Sequence, residues 1–231
     1  MTRCVLFDFD GTLIDTWRLY LESFRRSLSP HFNRLLSDEE ILDYRPSAER
    51  RLLKSVIEDG HVNRYYESFL GHYRSLHHTH NDGLYPGVAD MLAGLRSGGY
   101  LLGVVTGKSR PAWDVTFAAS GLPPFDVIIT DDDVIQPKPH PEGLLTALKT
   151  VGVPASRAFY IGDSLLDGEA AGAAGIAFGA ALWSKSGLER DRFRAEAEGI
   201  GVMQFFDAPF LVATRLLAWT AGEACTTLPR D

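Results

Sequence analysis

Short continuous apolar runs alternate along most of this chain with longer stretches whose apolar residues recur at helical spacing. The runs are the one that opens at Val5, then Tyr100 to Val105, Phe125 to Ile129, Ala158 to Ile161, Ile176 to Phe178 and Val202 to Phe206. Runs of this length without polar alternation predict strands covered on both faces, as in a parallel sheet. Their alternation with helical stretches predicts an α/β fold, a doubly wound parallel sheet with right-handed crossovers. One region breaks the alternation. From about Asp15 to Asn81 the apolar positions (Leu19, Phe24, Leu28; Leu52, Leu53, Val56, Ile57) follow a helical period and no strand pattern intervenes. Within it, Ser37 followed by Asp38, Glu39 and Glu40 reads as an N-cap with an acidic first turn, and Arg45-Pro46 as that helix's end. Pro86-Gly87 marks the return to the alternating pattern. The expected organisation is a sheet domain of residues 1–15 and 83–231, with a helical domain, 16–82, inserted after the first strand.

The first strand ends in chemistry. In VLFDFDGTLI, Asp8 and Asp10 close the apolar run and Gly11-Thr12 breaks it, so two carboxylates emerge where a strand of an open α/β sheet ends, the place where such sheets bind ligands. Clustered carboxylates repel unless a cation or a proton stands between them. Read as structure alone they would be turn-capping aspartates; a metal-assisted reaction accounts for them better. Later strands end in comparable ways. Thr106-Gly107 follows the run from Leu101 to Val105, Asp163 and Asp167 follow the run from Ala158 to Ile161, and Lys138 stands between Pro137 and Pro139 ahead of a helix.

These four elements, DFDGTLI, VVTGKS, QPKPHPEG and GDSLLDGEAAGAAG, in this order over residues 5 to about 180, resemble the motifs of the haloacid dehalogenase-type hydrolases. The helical block lies where that family inserts its C1 cap, which implies a lid over a small substrate. The resemblance implies that Asp8 is a nucleophile forming an aspartyl-phosphate and that Asp10 is the general acid and then base. It implies that Thr106, Gly107 and Lys138 hold the phosphoryl group. Mg²⁺ would be bound by Asp8, the backbone carbonyl of Asp10 and Asp163, with Asp167 behind them, reaching the metal through water or orienting Lys138. An oxygen-only donor set suits that hard cation. Because Asp10 is present, dehalogenase and phosphonate-cleaving chemistry is disfavoured and phosphate-ester chemistry remains.

The stretches YPGV, VVTGKS, KPHPEG and GDSLLD look most like the phosphoglycolate phosphatase subgroup, which implies a Mg²⁺-dependent phosphatase acting on a small phosphorylated metabolite. Three alternatives stand beside it: an inorganic pyrophosphatase, a sugar phosphomutase, and a catalytically quiet protein that binds a phosphorylated ligand. Where relatives carry a Gly-containing specificity loop, this chain has Tyr44-Arg45-Pro46-Ser47. Arg45 there is a candidate for bidentate pairing with a substrate carboxylate.

Composition narrows the partners. The chain has 231 residues, 45% of them hydrophobic, and a formal net charge of -7 with no Lys/Arg tract; the first supports a proper core, the second disfavours nucleic acid and anionic membranes. No apolar stretch reaches the roughly eighteen residues that span a bilayer. Two cysteines, Cys4 and Cys225, do not suggest a disulfide framework, and only three residues precede Cys4, which opens the buried strand. The expectation is a cytoplasmic monomer or homodimer. His77, His78 and His80 read as a solvated linker between the domains, Asp131 to Asp133 as caps of a short turn, and Tyr65, Tyr66, Phe69 and Tyr73 as core of the helical domain.

Overall fold

The computed structural model describes residues 2–44, 48–202 and 204–218. They form two compact units: Asp15–Gly83 with Gly107–Gly121 is one, and the remaining described residues are the other.

The larger unit is built on six parallel strands. β1 (Arg3–Phe7), β4 (Tyr100–Val105), β5 (Val127–Ile129), β6 (Ala158–Gly162), β7 (Ala177–Ala181) and β8 (Gln204–Phe206) lie in the order β5-β4-β1-β6-β7-β8. The short strands β2 (Ile14–Asp15) and β3 (Gly83–Leu84) pair separately, where the chain leaves the sheet and returns. The doubly wound sheet predicted from the apolar runs is present. Cys4, Val5, Leu6 and Phe7 are all 0% exposed, which requires cover on both faces. Successive side chains of a strand point to opposite sides, so Cys4 and Leu6 join one core cluster with Leu144, Ala147, Ala170, Ala171 and Phe193. Those residues come from α7 (Glu142–Val151), α8 (Leu165–Ala174) and α9 (Gly187–Glu198). On the opposite face lie α5 (Val88–Ser97) and α10 (Pro209–Ala218), which pack together; the Tyr100 hydroxyl of β4 donates to the Leu216 carbonyl of α10.

Strand limits shift where alanine and glycine replace branched residues. β7 runs Ala177–Ala181, displaced from the apolar triplet Ile176 to Phe178, because Gly179 sits under Phe159, Ile161 and Phe206: a Cβ there would come within 2.7 Å of all three side chains. The strand is selected by its neighbours rather than by its own propensity.

The helical unit holds α1 (Trp17–Phe32), α2 (Asp38–Asp43), α3 (Glu49–Val56) and α4 (Val62–His80). α2 starts at Ser37 in a capping box with Glu40, the two groups exchanging side-chain to backbone hydrogen bonds of 3.2 and 2.8 Å. To these helices the structure adds α6 (Arg110–Ser120), although the sequence reading keeps residues 107–121 with the sheet. Ala112 packs among Leu19, Phe24 and Tyr73, and the Tyr73 and Thr116 hydroxyls meet at 2.6 Å in a buried pair. Tyr66, Phe69 and Tyr73 are core, with Tyr65 partly buried beside them. The expected solvated histidine linker is instead the last turn of α4, and His77 is only 5% exposed. One helical turn beyond Tyr73, it continues the buried face, and burial lowers its pKa, helped by the charges of His78 and Lys108.

Candidate active site

Strand order brings the predicted residues together at one end of the sheet. β1 is paired on one side with β4 and on the other with β6, so the residues after Phe7, Val105 and Gly162 are neighbours in space. Asp8 leaves the sheet with its N–H donated to the Ile161 carbonyl at 2.8 Å, and the Thr106 N–H is donated to the Ile129 carbonyl of β5 at 3.0 Å. Both side chains are largely buried. Gly107 follows in a half-buried bend.

Two glycines make the crowding possible. Gly11 has φ +76, in the left-handed region, and a Cβ there would lie 2.4 Å from Asp163 Oδ2. Only glycine lets the loop after Asp10 turn and press against that carboxylate. Gly162, the last residue of β6, leaves the space that Asp167 fills, the Asp167 Cγ being 2.5 Å from where a Cβ would stand.

Asp167 is the anchor. It is the N3 residue of α8, in a capping box with Ser164, and is 0% exposed. Its carboxylate accepts from the Ser164 hydroxyl at 2.6 Å, the Ser164 N–H at 3.1 Å and Lys138 Nζ at 2.6 Å, with the Tyr160 hydroxyl 2.9 Å away. Burial alone would raise its pKa; Lys138 and these hydrogen bonds overcome it and hold the group below the ordinary carboxylate value. Lys138 Nζ also stands 3.1 Å from Asp8 Oδ1 and 3.2 Å from the Tyr160 hydroxyl. Desolvation disfavours its charge, but Asp167 and Asp8 prevail and raise its pKa, so the ammonium is retained. Lys138 therefore points at the nucleophile candidate because Asp167 and Tyr160 hold it there.

Asp8, Asp163 and Asp167 each offer a carboxylate oxygen within 4.8 Å of the others. Burial chiefly, with the charges of Asp167, Asp163 and Asp10 added and Lys138 opposing, pushes the Asp8 carboxyl up to about 8. Asp163 is also raised, first by burial and then by Asp167, against the pull of Lys185 and Lys138. A hard divalent cation fits this oxygen-only, mutually repelling set, and by opposing charge would favour the ionised forms. The Asp10 side chain is half-buried and lies outside the trio. Arg45 falls outside the described residues.

Four neighbours escape sequence reading. Tyr160 is read there only as an apolar strand residue. Thr12 is read as part of a turn, but its hydroxyl is 3.4 Å from Asp163 Oδ1. Trp183 and Lys185, in the loop after β7, reach Thr12 O and Asp163 Oδ2. Their one sequence signal is position: the end of a strand next but one to β1.

Comparison with known proteins gives the family and the fold. Residues 5–181 match the model of a family described as haloacid dehalogenase-like hydrolase. A pyrophosphatase PpaX of Bacillus pumilus is 36% identical over 194 residues, 80% of this chain and 85% of its own. That of Bacillus cereus strain AH820 is 35% identical over 188 residues, 79% and 84%. Among solved structures, a candidate phosphoglycolate phosphatase from Lactobacillus plantarum superposes with TM-score 0.75 at 27% identity, over 93% of this chain and 99% of that one. A hydrolase from Pseudomonas syringae shares the fold with TM-score 0.77 at 24% identity, over 94% and 98%.

Proposed function

The chain belongs to the haloacid dehalogenase-like hydrolases, and from that premise we propose that this phosphatase cleaves a small phosphorylated metabolite through a phosphoryl group carried on Asp8. The observation that carries the proposal is Lys138, held by Asp167 and Tyr160 so that its ammonium lies 3.1 Å from Asp8 Oδ1. A fixed cation beside a buried carboxylate has a use where a further anion must approach that carboxylate.

Asp8 attacks phosphorus and displaces the leaving oxygen, which splits hydrolysis into two steps. Asp10 gives its proton to that oxygen and afterwards takes one from the water that releases phosphate. Lys138 balances charge on the phosphoryl oxygens, and the Thr106 hydroxyl and the Gly107 N–H orient them. Mg²⁺, held by Asp8, Asp163 and the Asp10 carbonyl, would supply further charge neutralisation at the phosphoryl group. Asp167 acts through Lys138.

The leaving group decides between two substrates. A phosphoglycolate-like monoester follows from the motif resemblance; pyrophosphate is favoured by the Bacillus relatives at 34–36% identity. Phosphate release from phosphoglycolate, pyrophosphate, sugar phosphates and p-nitrophenyl phosphate, with Mg²⁺ and in chelator, tests the reading. Mg²⁺-dependent release from at least one small substrate is expected; full activity in chelator removes the mechanism. Among the described residues no helix is long and apolar enough to cross a membrane.

A further inference from the structure

The loop from Leu182 to Ser186, between β7 and α9, sends two side chains to the catalytic end of the sheet. Trp183 Nε1 donates to the Thr12 carbonyl at 2.9 Å. Lys185 Nζ donates to Asp163 Oδ2 at 2.8 Å, in a pair whose side chains are 11% and 16% exposed. The ammonium also lies 4.9 Å from the centre of the Phe193 ring. A lysine seldom settles this deep without a charge to answer. Asp163 is engaged at both oxygens, since Oδ1 is 3.4 Å from the Thr12 hydroxyl. It is also wedged against Gly11, where a Cβ would stand 2.4 Å from Oδ2. The carboxylate has little room to swing toward a second partner.

A divalent cation at the Asp8, Asp163 and Asp167 trio would need an Asp163 oxygen, and two cations on one shielded carboxylate repel strongly. We propose that Lys185 is an internal counter-cation for Asp163, which neutralises the carboxylate in metal-free protein and yields the contact when a divalent ion binds. Metal affinity is then set by an exchange of cations rather than by the carboxylates alone. The inference rests on the proposed Mg²⁺ site and adds a residue to it.

Lys185→Met keeps the apolar stem and removes the charge; Lys185→Arg keeps the charge. Mg²⁺ binding is measured calorimetrically on the whole protein without substrate, and unfolding temperature is measured in chelator. The Met variant should bind Mg²⁺ about tenfold tighter, the scale of one relieved charge contact, and should unfold at lower temperature in chelator. The Arg variant should stay close to wild type. Unchanged or weaker Mg²⁺ binding by the Met variant overturns the proposal. A second measurement uses the wild-type protein. The Lys185 ammonium, assigned by ¹⁵N NMR through its loss in the Arg variant, should be visible in chelator and should lose its protection at saturating Mg²⁺. A signal unmoved by bound Mg²⁺ overturns the exchange even if the Met variant does not fold. Wild-type protein that binds no Mg²⁺ removes the metal site itself. Equal affinities in wild type and Met variant remove only the part given to Lys185.

Discussion

Without a divalent cation, the Asp8 carboxyl is pushed from an ordinary 3.8 up to about 8, and this has a measurable sign. Between those values the folded protein keeps a proton that the unfolded chain has lost. The stabilisation is complete below the unfolded value and disappears as pH rises through the folded one. Linkage gives about 1.4 kcal/mol per pH unit for one proton, so stability should fall by about 3 kcal/mol between pH 5 and 7. Asp167, held low, is ionised throughout this window, whereas Asp163, raised, adds a loss of the same sign. His72 and His77, whose pKa values burial lowers, act in the opposite sense below about pH 6.5. The clean comparison is therefore urea unfolding in chelator of wild type against Asp8→Asn, which keeps the histidines and removes the proton. Mg²⁺ supplies the second arm. Below about pH 8 Asp8 is chiefly protonated, so binding of the ion should release protons near neutral pH and release fewer as pH rises past that value. Calorimetry in buffers of different ionisation enthalpy reads that release. Equal pH slopes for wild type and Asp8→Asn, or no proton release at pH 7, would refute the reasoning.

Asp8→Asn should abolish phosphate release while the protein stays folded by circular dichroism, because an amide is a poor nucleophile. Asp10→Asn should slow alkyl phosphates far more than p-nitrophenyl phosphate, whose leaving group needs little protonation; equal losses in kcat would remove the acid role. Replacing Asp163 by Ala should imitate chelation, whereas Asp167→Asn should cost about 3 kcal/mol of stability in urea by loosening the buried Lys138 partner. Gly162→Ala would drive a methyl into Asp167 and should cost about 2 kcal/mol. Activity lost in chelator should return with Mg²⁺, while Ca²⁺, with its longer and more numerous bonds, should inhibit.

The sheet, and the residues that the structure gathers at the candidate site, were legible because both are written in short-range code. A buried parallel strand is a run of apolar residues, and the residue that ends it is already near the site, so Asp8, Thr106 and Asp163 could be placed from their strand ends. Lys138 was readable only through its proline frame and its place in the motif order. What was not legible is what these groups lean on. Nothing near Tyr160 in the chain says that its hydroxyl lies beside Asp167, Lys138 and the Val105 carbonyl, since the contact with Val105 spans 55 positions. Lys185 contacts a residue 22 positions away in a loop of ordinary polar composition. Among the histidines of α4, polarity suggests solvent and His78 is exposed, whereas His77 obeys the period set by Tyr66, Phe69 and Tyr73 and is buried. The placement of α6 with the helical unit depends on the Tyr73 and Thr116 contact, 43 positions apart and invisible to any local pattern.

The central place of β1 also has a consequence for how the protein is made. Cys4 to Phe7 leave the ribosome long before their partners, which begin at residue 100 on one side and residue 158 on the other. At about 5–20 residues per second, the wait is several seconds, during which a wholly apolar strand has no edge to pair with. Until residue 163 has been added, Asp8 lacks one of its neighbouring carboxylates, and the cluster at the end of the sheet cannot form. Placing β1 after β8 by circular permutation would shorten that exposure, and should raise the yield of folded protein from rapid synthesis while keeping the strand order of the finished sheet.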